Sequence, residues 1–209
     1  MLHGRPPSIW RVATSGLAGV LALALASGCG EAALNESAVE TPAPAEPDPA
    51  MIARQKLAEA RIPFGAAVAS GDDARVFELA DAGNPLALFY RAEKRLASDK
   101  AYEKQEAFAD MEAAAEAGSP DAQLWVGFRM AQALEGYPWK PNSGIMMVER
   151  AAVQDHLEAM YTLGDLYAQD APMQDLAKAR FWYGKAADAG HMAARDAVAR
   201  MDREAVAAD

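Results

Sequence analysis

The feature that most constrains this chain is a short signature that returns at nearly fixed spacing. Ala80-Asp81-Ala82-Gly83, Ala115-Glu116-Ala117-Gly118 and Ala187-Asp188-Ala189-Gly190 lie 35 and 72 residues apart. A fourth copy, Ala152-Val153-Gln154-Asp155, divides the longer gap into 37 and 35, with Asp155 in the glycine slot. Four residues after each signature stands Ala87, Ala122, Ala159 or Ala194, and five further on a second small residue, Ala92, Gly127, Gly164 or Ala199. A period of this length with paired small residues marks stacked helix pairs, each too small to bury a core alone.

Composition bears on the fold class. The 209 residues include 50 Ala, and from residue 29 onward only 13 are Val, Ile or Thr. Alanine is the best helix former and β-branched residues fill strand surfaces, so composition argues against a large sheet and an all-α fold is expected. Glycine suits the left-handed position that ends a helix, while Asn84-Pro85 and Ser119-Pro120 place a capping side chain before a proline at the first helical position. The pattern predicts helices over 85–97 and 101–117, 120–134 and 144–154, 157–168 and 175–189, with 191–206 closing the array. Residues 51–60 and 72–82 read as a half-degenerate first pair, and 135–143 as an unusually long loop. The small residues allow helices to cross at about 8 to 10 Å. Replacing Gly127 or Gly164 by Leu should overpack a crossing and cost ~1 to 3 kcal/mol.

The N-terminus carries a different signal. Residues 1–11 hold Arg5 and Arg11 without an acid, residues 12–26 are mostly small and apolar, and Ser27-Gly28-Cys29 follows. This is a signal-peptide pattern, with an apolar run of about 15 residues against the ~20 that a spanning helix needs. The small pair before Cys29 resembles the bacterial lipobox, although Ala26 stands where leucine is commonest. The resemblance implies cleavage after residue 28 and acylation of Cys29. The alternative is an ordinary signal peptide that leaves a free thiol. Gly30, in place of the Asp that holds lipoproteins at the inner membrane, implies an outer-membrane destination, and two or more acyl chains suffice for stable anchoring. A single Cys leaves no intramolecular disulfide.

Residues 30–50 contain four prolines, five acids and no aromatic or basic residue. They cannot bury a core and read as a disordered tether, residues 29–50, reaching up to roughly 60 Å. An SH3-type ligand is the remote alternative. Removing residues 1–28 takes the net charge from −10 to −12. Such acidity disfavours nucleic acid as a partner.

The segment AMYTLGDLYAQDAPMQDLAKARFWYGKAADAG, residues 159–190, resembles the Sel1-like repeat, a relative of the tetratricopeptide repeat. The resemblance rests on Ala159, Leu163, Gly164, Tyr167, Asp175, Lys178, Ala179, Trp182, Tyr183, Lys185, Ala186, Ala187 and Gly190. Copies at 84–118 and 119–155 carry Asp110-Met111 and Met147-Val148 in place of the Trp-Tyr pair. The resemblance implies a right-handed α-solenoid of antiparallel helix pairs over 51–207. The first pair, 51–83, is degenerate; repeats span 84–118, 119–155 and 156–190, and 191–207 forms a capping helix. It further implies a scaffold or adaptor rather than an enzyme. Trp182, Tyr183 and Tyr167 occupy framework positions and are expected in the core.

Beyond the signal region the histidines are His156 and His191, at the same point of adjacent copies. Equivalent positions lie about 8 to 10 Å or more apart, whereas zinc ligands sit ~2 Å from their metal. They read as solvent-facing helix-start residues, and no metal or cofactor is expected. No nucleophile elbow, phosphate loop or zinc-protease helix motif is present. A paired-carboxylate site is not excluded by pattern, since acids are everywhere. Cysteine-rich relatives have been linked to β-lactam binding, but the cysteine pairs are missing here.

Stacked as in its relatives, the chain would turn Phe89, Leu124 and Tyr161 in one row, and Glu93, Phe128 and Asp165 in the next, toward a concave surface. Apolar side chains flanked by acids suit a peptide with apolar anchors and basic flanks. The competing reading buries these rings within the solenoid. Trp139, in the loop Glu135-Gly136-Tyr137-Pro138-Trp139-Lys140-Pro141, either staples that loop or anchors a partner. The expected partners are envelope proteins, met as a general scaffold or as an assembly factor of the pilotin kind. A cell-wall enzyme or β-lactam-binding protein is the reading from another class.

Overall fold

Capping residues set the start of most helices in the computed structural model, which describes residues 48–169 and 173–208. The signal peptide, Cys29 and the tether up to residue 47 lie outside the described residues. The helices are α1 (Pro49–Ala69), α2 (Asp73–Asp81), α3 (Pro85–Leu96), α4 (Ala101–Ala117), α5 (Pro120–Gln132), α6 (Pro141–Ala152), α7 (Leu157–Ala168), α8 (Leu176–Asp188) and α9 (Met192–Ala208). Asn84 Oδ1 accepts from the Leu86 and Ala87 amides, and Ser119 Oγ from the Ala122 amide, each satisfying an orphan donor of a helix start. The turns close through Gly83, Gly118 and Gly190 in left-handed conformation, and Asp155 adopts the same region at φ 65°.

Each pair packs internally, α3 on α4, α5 on α6 and α7 on α8, and each hands on to the next through α4–α5, α6–α7 and α8–α9 contacts. No strand occurs among the described residues. The result is an all-α solenoid whose core is a row of crossings. The first small residues, Ala87, Ala122, Ala159 and Ala194, have no solvent exposure at all. Gly127 and Gly164 are buried as well, whereas Ala199 is exposed, because no described helix packs on that face of α9.

Three expectations need correction. The first helix is not a short segment over 51–60: α1 runs for 21 residues, starts inside the stretch assigned to the tether, and continues through Pro63. An interior proline forfeits a hydrogen bond and costs ~3 kcal/mol, but Leu57, Ala60, Phe64 and Ala67 form one unbroken face on either side of it. Leu57 and Ala67 are buried, Phe64 meets Tyr90 edge-on at 6.1 Å, and Asn84 Nδ2 donates to the Ala60 carbonyl. Near its start, Arg54 reaches the Val153 carbonyl at 2.6 Å and Asp155 at 3.1 Å.

The second correction is that α6 begins at Pro141, not 144, with the proline at a first helical position where its missing amide costs nothing. Gly144 therefore lies inside a helix, against Gly127 of α5. A Cβ on Gly144 would stand 2.5 Å from the Gly127 carbonyl and 2.6 Å from the Ala131 amide, so this crossing is backbone on backbone.

The third correction concerns the histidines. Their side chains are only 18% and 16% exposed, and each is a helix N-cap. His156 Nδ1 accepts from the Ala159 amide at 3.1 Å, and His191 Nδ1 from the Ala194 amide at 3.2 Å. A ring nitrogen that accepts cannot carry the proton, so Nε2 is the donor. It donates back into the preceding repeat, from His156 to Asp121 at 3.0 Å and from His191 to Glu158 at 3.2 Å.

Candidate functional site

The inner helices α3, α5 and α7 expose the residues two and six places after the first small position, because 3.6 residues per turn carry those positions to the face opposite the crossing. Phe89, Leu124, Phe128, Tyr161 and Asp165 line a single groove of about 480 Å³, together with Asp121, Trp125, Arg129, Glu158 and Thr162. That volume falls within the ~300 to 1,000 Å³ usual for ligand sites. The five are half-buried, each leaving part of its surface to the groove. Glu93 stands exposed at the rim, near enough to Asp121 for the two carboxylates to interact.

The groove's walls are held by contacts between repeats. Tyr161 stacks on the His191 imidazole, with centroids 4.4 Å apart and planes 13° from parallel, and lies 5.6 Å from the Tyr183 ring. Tyr183 donates its hydroxyl to Asp165 at 2.6 Å, so a core ring orients a groove acid. Arg129 lies 3.6 Å over the Trp125 ring and pairs with Glu135 at 2.8 Å. Its charge is thereby engaged by an acid from the neighbouring loop.

The electrostatics are one-sided. The His156 hydrogen bond lowers the Asp121 carboxyl below its ordinary value, against the opposing effect of its burial. Glu93 is pushed up, first by its partial burial and then by the Asp121 charge. Burial also raises the Tyr161 hydroxyl. The groove thus keeps anionic carboxylates beside aromatic surface, with one cation already paired.

Trp139 lies outside the groove. It is 60% exposed, and Tyr137 is the residue that staples the loop, within 6.1 Å of both the Phe108 and Trp125 rings. Sequence reasoning missed Trp125, Thr162, Asp121 and Glu158. They stand at the third place after, and the place before, the first small residue of their copies, so the repeat register contained the signal. Arg129 had no such signal, since its position depends on stacking and on a loop acid. Among the described residues no helix is long and apolar enough to cross a membrane.

No family profile and no curated protein matches this sequence. Solved structures do share its fold. A Sel1 repeat protein from Oxalobacter formigenes is 30% identical, with a TM-score of 0.53, over 60% of this chain and 95% of that one. A protective antigen present in uropathogenic Escherichia coli strains, displaying an SLR fold, is 18% identical with a TM-score of 0.53. That match covers 73% of this chain and 33% of the antigen, and it speaks for the fold alone.

Proposed function

The chain belongs to the Sel1-like repeat family, and we propose from that premise that it is a non-enzymatic interaction scaffold held in the bacterial envelope by a lipid on Cys29. The observation that carries this reading is the convergence of Phe89, Leu124, Phe128 and Tyr161, from three successive repeats, on one groove. A surface assembled from several repeats offers contact area for a protein segment. The lipobox-like Ser27-Gly28-Cys29 and the absence of Asp at residue 30 support an anchor on the periplasmic face of the outer membrane. The tether between Cys29 and α1 would then let the groove reach partners away from the bilayer.

Two measurements test this reading. Cells fed labelled palmitate should label the wild-type chain and not Cys29→Ser, and the variant should leave the membrane fraction; undiminished labelling would overturn the anchor. Capture from detergent-solubilised envelope should recover the same protein with wild type, and much less of it with the paired change Phe89→Ser and Tyr161→Ser. Equal recovery with a folded variant would remove the groove from the site. A single stoichiometric outer-membrane channel subunit in the captured fraction would narrow the role to an assembly factor.

A further inference from the structure

Resting on that scaffold role, we infer that the groove over α3, α5 and α7 takes an extended peptide segment in which apolar side chains are interleaved with lysine or arginine. Its floor supplies Phe89, Leu124, Phe128 and Tyr161 for the apolar members. Its walls supply Asp121, Glu158 and Asp165, with Glu93 at the rim.

Asp121 and Glu158 accept from histidine rings whose Nδ1 atoms are occupied as acceptors, so the donors there are neutral. Asp165 accepts from the neutral Tyr183 hydroxyl. Neutral donors orient a carboxylate without cancelling its charge. Asp121 and Glu158 occupy equivalent places in successive repeats, so their charges recur along the groove at the spacing of the repeat. Of the cations nearby, Arg129 is paired by Glu135 and lies against Trp125, while Arg61 acts on Asp121 and Arg200 on Tyr161 only as weaker through-space charges.

Glu93 sharpens the point. Among the described residues it forms no ion pair, and it faces the like charge of Asp121. Two carboxylates in that relation are relieved by an incoming ammonium or guanidinium, which makes electrostatic complementarity specific to a basic partner. A fully aliphatic segment would leave the carboxylates desolvated and unpaired, and an acidic one would be repelled. The chain's own tether is excluded as occupant on the same ground, since residues 30–50 hold five acids and no base.

Fluorescence anisotropy with three labelled hexapeptides tests this on the full chain in detergent: alternating leucine and lysine, alternating leucine and glutamate, and alternating serine and lysine. The leucine–lysine peptide should bind at least ~10-fold more tightly than either counterpart and weaken as salt rises. Glu93→Gln combined with Asp121→Asn should reduce that affinity about tenfold, because the charge is lost while the acceptor to His156 is kept. Circular dichroism should show wild-type helicity. If the leucine–glutamate peptide bound equally well and Phe89→Ser with Tyr161→Ser abolished it, the groove would stand and its selection for a base would fall. If the paired Phe89 and Tyr161 change left every peptide's binding unaltered, or no peptide bound, the inference and the groove reading would fall together.

Discussion

At the crossing of α7 and α8, Gly164 lies directly under the Tyr183 ring, which fills the space a Cβ would occupy. At the equivalent crossing of α3 and α4 the small residue is Ala92, and Met111 takes the place of the ring. The neighbouring position differs more. Where the third pair has Trp182, the first has Asp110, 9% exposed, gripped by Arg91 through two bonds of 2.8 and 2.9 Å and by Arg95 at 2.5 Å. One seam is aromatic and the other ionic, in a common backbone arrangement. The comparison teaches that the period specifies how near two helices come, and the residues at the crossing specify what chemistry fills the gap. A ring demands glycine; a flexible methionine tolerates alanine.

The largest break in this comparison should come from Asp110→Ala. It would leave Arg91 and Arg95 with only their exposed partners Asp81 and Glu106, and breaking a buried pair in this way costs up to ~3 to 5 kcal/mol. Urea denaturation should also show that Asp110→Leu combined with Arg91→Met recovers most of that loss, since a well-packed apolar replacement of a buried pair is often neutral. No recovery would mean that the ionic seam contributes more than its geometry implies.

A smaller effect is expected from converting the third seam toward the first. Gly164→Ala alone should overpack the Tyr183 ring and cost ~1 to 3 kcal/mol. Tyr183→Met alone should lose ring contacts and the bond to Asp165. Together they recreate the first pair's combination, and the double variant should be more stable than the sum by at least ~1 kcal/mol in a double-mutant cycle. Strict additivity would show that the two residues do not share a contact.

Alkaline pH should separate the seams without mutation. Burial raises the Tyr183 hydroxyl, and it pushes Tyr167, which donates to Glu149, up to about 12. A folded-state value above the unfolded one near 10 means that this stabilisation is complete below pH 10 and is lost as pH rises through the folded value. Arg91 is held above its ordinary value by Asp110 and keeps the first seam charged through the same window. Hydrogen exchange between pH 10 and 12 should therefore show α7 and α8 opening before α3 and α4, and Tyr167→Phe should diminish the difference.

The smallest effect belongs to the junction that leads into the third pair. Asp155→Gly relieves a side chain from left-handed backbone but removes an exposed bond to Arg54, and the two should offset to within ~0.5 kcal/mol. A thermal midpoint shifted by more than a few degrees would give that corner a larger part in coupling α1 to the solenoid.

Much of the scaffold was legible because helix packing repeats. Gly83, Gly118, Gly190 and the substitute Asp155 mark turns that local backbone sterics alone require, and Asn84 and Ser119 mark starts that unsatisfied amides require. The register also pointed to the groove rows. Two expectations were overridden by tertiary packing: α1 runs past residue 60 and through Pro63, since the apolar face on both sides of that proline holds the helix together, and α6 starts at Pro141 inside the loop expected over 135–143. His156 and His191 look like surface residues in a linear reading, because the acids that receive their Nε2 protons lie 35 and 33 residues earlier.

The helical class, the period and the places where helices must approach are written locally along the chain, since they follow from propensity, capping and side-chain size within a few residues of each position. Folding in three dimensions makes one crossing ionic, one backbone on backbone and one aromatic, and engages Arg129 with Trp125 and Glu135. Those outcomes depend on which side chain meets which across a gap between helices. Periodicity along the chain carries no record of that meeting.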